Sequence, residues 1–129
     1  MFVPVIAVAC GGALGAVARF ATVMLSQFLF GARFPVGTLL VNCLGSFLIG
    51  LFMSLYMDRL ADFEYWRLFI VVGFLGAYTT FSSFAWDTWV LYLDGQWVAA
   101  SLNVLLNNVS TIALLLVGIL AGRLLGGIV

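Results

Sequence analysis

The stretch GFLGAYTTFSSFAWD, residues 73–87, gathers Thr79, Thr80, Ser82, Ser83 and Asp87 inside an apolar segment, with Phe81 and Phe84 among the hydroxyls. Two further polar sets repeat at helical spacing. Thr38, Asn42 and Ser46 fall at i, i+4 and i+8, and so do Asn103, Asn107 and Thr111. Residues four apart share one face of a helix and lie about 6 Å apart along its axis. Each set is therefore a strip of amides and hydroxyls. An amide left in hydrocarbon without a partner is costly. The two strips must face each other, a water-filled path, or both. A single asparagine in such a place reads as interhelical glue. Two aligned strips beside a Thr/Ser cluster favour a permeation path. The chemistry on offer is N–H and O–H donation, with phenylalanine ring edges as the positive end of the aromatic quadrupole. That donor set suits a small, hard anion.

The ionisable residues narrow the function. The chain of 129 residues carries five Arg, five acids and no His, with zero formal net charge. No basic tract is present to bind nucleic acid. The usual metal ligand and general base are missing. With no paired acids or nucleophile–base set in the apolar segments, an enzyme is not expected. A cation carrier or proton-coupled carrier normally uses a midplane carboxylate. Here Asp87 is the only acid within the apolar segments, so a proton-coupled small-anion antiporter would have to cycle it. Arg19 is the only charge in the first segment. It either draws anions to an aqueous mouth or snorkels to fix helix depth. A non-conducting membrane assembly subunit, with the strips acting only as glue, is the third reading.

The elements that must hold these residues follow from hydropathy. The chain is 65% hydrophobic and 8% charged, with a mean hydropathy of +1.24. A soluble domain of this size could not hide that apolar surface. The fold class is an all-α integral membrane protein, one domain over residues 1–129. Four segments reach the roughly 20 apolar residues that cross a hydrocarbon core. They cover about 2–30, 35–57, 67–92 and 97–125. Pro35 suits the first turn of the second, and Asp94-Gly95 makes a turn before the fourth. The stretch DRLADFEYWR holds five of the ten charges and reads as an aqueous loop. Trp66, Trp89 and Trp97 sit near span ends, as interfacial aromatics do. The N-terminal run has no charged leader region and reads as a first helix. Cys10 and Cys43 read as packing residues, with neither a disulfide nor a metal site expected.

Four spans put both termini on one side. Arg59, Arg67 and Arg123 share that side, against Arg33 and Arg19 toward the other. This bias slightly prefers termini in the cytoplasm, and it is compatible both with insertion in both orientations and with a single orientation set by those few arginines. Small residues four apart, at Gly11/Gly15, Ser46/Gly50 and Gly118/Gly122/Gly126, mark faces where helices approach closely, within a subunit or between subunits.

Three motifs in this order resemble the Fluc (CrcB-type) fluoride channel family, over essentially the whole chain. GGALGAVARF (11–20) is similar to its first-helix motif, GTLLVNCLGSFLIG (37–50) to its second, and GFLGAYTTFSSF (73–84) to its third-helix signature. The resemblance implies a passive, electrogenic fluoride-selective channel that exports cytoplasmic fluoride across the bacterial inner membrane. It implies an antiparallel, dual-topology homodimer of four-helix subunits with two pores. Asn42 would be the pore-lining amide, and Phe81 and Phe84 would turn their ring edges to the anion. Ser82, Ser83 and Thr80 would add hydroxyls, with Thr80 lining the pore or capping a break, and Arg19 would stand near the pore mouth. The third helix would break around Gly76 to Thr80. There the backbone carbonyls of Gly76 and Thr79 would hold a structural sodium ion from both subunits at the dimer centre. Two departures stand out. Asp87 matches a position that usually carries Glu, where pairing with Arg19 or another donor is expected. Asn103 and Asn107 stand where the family usually shows Tyr and Ser. Thr38, Ser46 and Thr111 complete the expected lining.

Overall fold

The computed structural model of the chain describes residues 2–56 and 64–127. Met57, the expected end of the second span, lies outside the described residues, as do Arg59 and most of the charged stretch expected as an aqueous loop. Helix α1 is Phe2–Phe30 and α2 is Val36–Tyr56. The third span, Glu64–Leu93, is one membrane crossing made of two helices. Its first half, α3, covers 64–78 and is wound as a π-helix over Leu68–Leu75, a form that is rare at such length. Its second half, α4, is Phe81–Leu93. The last helix, α5, is Trp97–Gly126. At about 1.5 Å per residue, the 21 residues of α2 alone reach about 31 Å, the thickness of a hydrocarbon core.

Local chemistry sets the ends. Gly31 and Gly95 take positive φ (79° and 72°), closing α1 and the α4–α5 turn where a side chain would be strained. Pro35 stands one residue ahead of α2, and its carbonyl accepts from Leu39 N at 3.2 Å, so it opens the helix without needing an N–H.

Helix α1 packs chiefly on α3, and α2 packs chiefly on α5. Glycines make both seams. A Cβ on Gly11 would run into the Phe69 carbonyl, and one on Gly15 into that of Phe74. Across the other seam, Gly50 lies against the Leu115 carbonyl, Gly118 against that of Phe47, and Gly122 against Leu51 and Ser54. These small-residue faces thus join helices of one subunit, held by dispersion at close backbone approach. Gly126 stays exposed at the end of α5. Only 11% of the most apolar window is buried in α1 and in α5. The outward faces carry Leu, Val, Ile and Phe side chains that only a bilayer or a partner subunit can accommodate.

Candidate permeation site

The third span breaks at two residues. Thr79 (φ −82°, ψ 159°) and Thr80 (φ −155°, ψ 119°) are extended between helical neighbours. The break is narrower than the expected Gly76–Thr80, because Gly76 through Tyr78 stay helical. An interruption at membrane depth strands backbone donors and acceptors, which must be satisfied from elsewhere. Asn42 on α2 does this for Thr80. Its Oδ1 accepts from Thr80 N at 2.8 Å, and its Nδ2 donates to Thr80 O at 3.0 Å. The side-chain amide pairs with the peptide as a neighbouring strand would. Below the break, Thr79 donates from both N and Oγ1 to Leu75 O, each at 3.0 Å. Above it, Thr80 caps α4, its Oγ1 accepting from Ser83 N at 3.1 Å.

From Asn42 the hydrogen bonds run on in one direction. Its second Nδ2 hydrogen goes to Asn107 Oδ1 at 3.0 Å. Asn107 Nδ2 donates to Asn103 O at 3.1 Å and Asn103 Oδ1 at 2.9 Å. Asn103 Nδ2 donates to Thr88 Oγ1 at 2.9 Å, and Thr88 donates to Phe84 O at 2.8 Å. The two strips do face each other, joined at the Asn42–Asn107 rung.

Two cavities flank the break, and Thr80 lines both. The larger, about 830 Å³, includes Arg19, Thr38, Ser83 and Asp87 in its wall. Within it Thr38 Oγ1 donates to Asp87 Oδ2 at 2.6 Å, so the donor that Asp87 was expected to find is Thr38. The smaller, about 240 Å³, is walled by Asn42, Ser46, Ile49, Thr79, Phe81, Phe84, Asn107, Asn108 and Thr111. Phe81 and Phe84 meet edge-on, with ring centroids 5.3 Å apart and planes at 61°. Phe84 is 7% exposed, whereas Phe81 is 76% exposed on the single chain.

Three expected site residues line neither cavity. Asn103 is fully buried, 0% exposed, and serves as the link between Asn107 and Thr88. Ser82 is exposed and contacts Thr80 Oγ1 at 3.3 Å. Gly76 is exposed in the last turn of α3. Its carbonyl has lost its helical partner four residues on, since Thr80 N turns to Asn42. The Thr79 carbonyl is in the same position, because Ser83 N turns to Thr80 Oγ1.

Some residues of the site were not singled out from sequence. Asn108 sits off the four-residue ladder, and Thr88 lies one residue past the 73–87 stretch. Tyr78 is buried beside the break, stacked on Phe74 at 5.9 Å, and its hydroxyl donates to Thr22 at 3.1 Å while Thr22 donates to Ala18 O.

Comparison with known proteins agrees with this geometry. The family model described as CrcB-like protein, Camphor Resistance (CrcB), matches residues 6–119. A protein of Legionella pneumophila (strain Lens) called a fluoride-specific ion channel FluC is 46% identical over 120 residues, covering 93% of this chain and 90% of that one. Proteins of the same name from Sulfurihydrogenibium sp. and Coxiella burnetii (strain Dugway 5J108-111) are 42% and 43% identical, covering 95% and 98% of their own lengths. These relatives are channels and not enzymes, and they come from bacteria, as a multi-pass bacterial membrane protein requires. With a family match over most of its four spans and relatives of this identity along nearly its full length, the chain belongs to the CrcB-type fluoride channel family.

Proposed function

We propose that this chain forms a passive, fluoride-selective channel through which cytoplasmic fluoride leaves the cell down its electrochemical gradient. The observation that carries the reading is the pair of cavities meeting at Thr80, walled by hydroxyls, amides and the edge-on Phe81–Phe84 pair. Fluoride holds its water strongly, so a pore must offer close donors in exchange for hydration. Uncharged donors and ring edges do this without a cationic side chain in the smaller cavity to trap the ion. Arg19, at the wall of the larger cavity, raises anion concentration at the mouth. No GxxxxGK[ST] motif occurs in the sequence to couple ATP hydrolysis to transport.

The working unit in this reading is an antiparallel homodimer with two pores. The exposed Phe81 and the open side of the smaller cavity support a second copy that encloses them. The slight arginine bias supports insertion in both orientations. The carbonyls of Gly76 and Thr79, both deprived of their helical donors, fit a structural sodium ion, a hard cation that takes oxygen ligands. Bound there, sodium supplies a fixed positive charge close to the anion path.

The test uses the purified full chain in liposomes loaded with potassium fluoride, with efflux followed by a fluoride electrode after valinomycin is added. Matched chloride liposomes run beside it. Fast fluoride loss that requires the ionophore, with little chloride loss, is expected. Equal chloride loss would refute selectivity, and no loss of either ion would refute conduction.

A further inference from the structure

The smaller cavity is walled by amides and hydroxyls, yet most of their hydrogens are already engaged. The Asn42 amide is oriented by the Thr80 peptide, because Oδ1 must face the backbone N–H and Nδ2 the backbone carbonyl. An asparagine has two amide hydrogens, and those of Asn42 go to Thr80 O and Asn107 Oδ1. This rung orients Asn107 in turn, whose two hydrogens go to the backbone and side chain of Asn103. Each threonine hydroxyl has one hydrogen. That of Thr79 goes to Leu75 O, that of Thr80 to Ser83 Oγ, and that of Thr111 to Asn107 O.

Two side-chain donors are left. The Ser46 hydroxyl makes no hydrogen bond among the described residues. Asn108 donates one amide hydrogen to Val104 O at 2.7 Å, which leaves the other for the cavity. Both residues share the cavity wall with Phe81 and Phe84.

We propose that Ser46 and Asn108 are the side chains that donate to the anion in this cavity, while Asn42 and Asn107 are positioning residues that hold the broken helix. The inference rests on the anion-channel reading above and divides its labour. An anion reaching this cavity meets one hydroxyl, one amide hydrogen and two ring edges. Asn42 stands at the wall but has no hydrogen to offer unless the Thr80 cap or the Asn107 rung opens.

The experiment measures fluoride efflux against fluoride concentration, and the fluoride-to-chloride ratio, for S46A, N108L, the double variant, and the conservative S46T and N108Q. A hydrogen bond to an ion is strong enough that losing one should raise the half-saturating concentration about tenfold or more. S46T and N108Q should stay near the unsubstituted protein. A purely structural role would change yield and stability without moving half-saturation or selectivity. Asn108 is exposed and its one hydrogen bond lies within its own helix, so N108L should fold. A second measurement leaves the cavity intact: solid-state ¹⁹F–¹⁵N dipolar dephasing on asparagine-labelled protein in fluoride-loaded liposomes. Contact is expected at Asn108 Nδ2. Dephasing strongest at Asn42, or none at Asn108, overturns the assignment, as does a folded double variant with unchanged half-saturation and selectivity. An unsubstituted protein that passes no fluoride overturns the channel reading instead.

Discussion

Replacing Asn42 by alanine should unlatch the break in the third span. Two groups would lose their only partner at once, Thr80 N–H and Asn107 Oδ1, and Thr80 O, as the cap of α4, would keep only its helical bond. Thr80 is 7% exposed, so its peptide has little access to water. A buried polar group left unsatisfied costs about 1–3 kcal/mol, which puts the dry limit for two near 2–6 kcal/mol. The adjoining cavity of about 240 Å³ lets water reach some of them. The expected loss therefore lies at the low end, about 2 kcal/mol, a factor of about 30 in the folding equilibrium. Denaturant unfolding in micelles, followed by tryptophan fluorescence, measures it. Hydrogen exchange at the Thr80 amide should accelerate in parallel. N42D separates this account from one based on lost volume. Aspartate has nearly the same shape and keeps the acceptor for Thr80 N–H. It also turns an oxygen toward Thr80 O and Asn107 Oδ1, so it should destabilise at least as much as alanine. An N42D protein within about 0.5 kcal/mol of the unsubstituted one, the ordinary scatter of surface changes, would refute the reasoning.

Three further outcomes follow from the packing and the charges. G118V should abolish monodisperse protein in size-exclusion chromatography, because any Cβ there runs into the Phe47 backbone carbonyl across the α2–α5 seam. G45A should destabilise by about 1–3 kcal/mol through overpacking, since its Cβ runs into Thr79 Cγ2. Adding T79S removes that methyl, keeps the hydroxyl bond to Leu75 O and should restore stability, as a double-mutant unfolding series would register. R19Q should lower fluoride efflux severalfold at about 10 mM supporting salt and differ little at about 1 M, where screening shortens to about 3 Å.

Hydropathy alone made the four spans legible, to within a few residues at each end. The two ladders were legible as aligned strips because four-residue spacing needs nothing beyond helix geometry. Their partners were not. That Asn42 meets the peptide of Thr80 depends on where the third span breaks, and the run GAYTT shows only that a break is plausible nearby. The structure limits it to Thr79 and Thr80, where Asn42 can replace the lost helical pairing. Asn108 escaped notice because it falls off the ladder, yet it keeps a hydrogen free for that same reason: it bonds along its own helix instead of across to α2. Thr38 as the donor to Asp87 was equally hidden, since the two are 49 residues apart in the chain.

Glue and path, which the sequence posed as competing readings of the polar strips, become successive layers of one construction in the proposed channel. The chain of bonds from Asn42 through Asn107, Asn103 and Thr88 ends on Phe84 O, so it grips the first turn of α4 at Thr80 and again at Phe84. Phe81 and Phe84 lie within that turn. Their mutual edge-on geometry is thus set by a relay whose cavity-wall amides, Asn42 and Asn107, have both hydrogens engaged. A pore for a strongly hydrated anion needs its donors fixed in advance, since groups that must first reorient return less than the water they displace. Asparagines at positions 103 and 107 serve that need: a side-chain amide both donates and accepts, so two in series carry the bond from α2 across and along α5 to Thr88. A hydroxyl, with one hydrogen, could not donate twice as Asn107 does to Asn103. The departure from the family's usual Tyr and Ser therefore alters the scaffold behind the cavity, and in the proposed division of labour leaves the ion to the few groups that the scaffold does not bind.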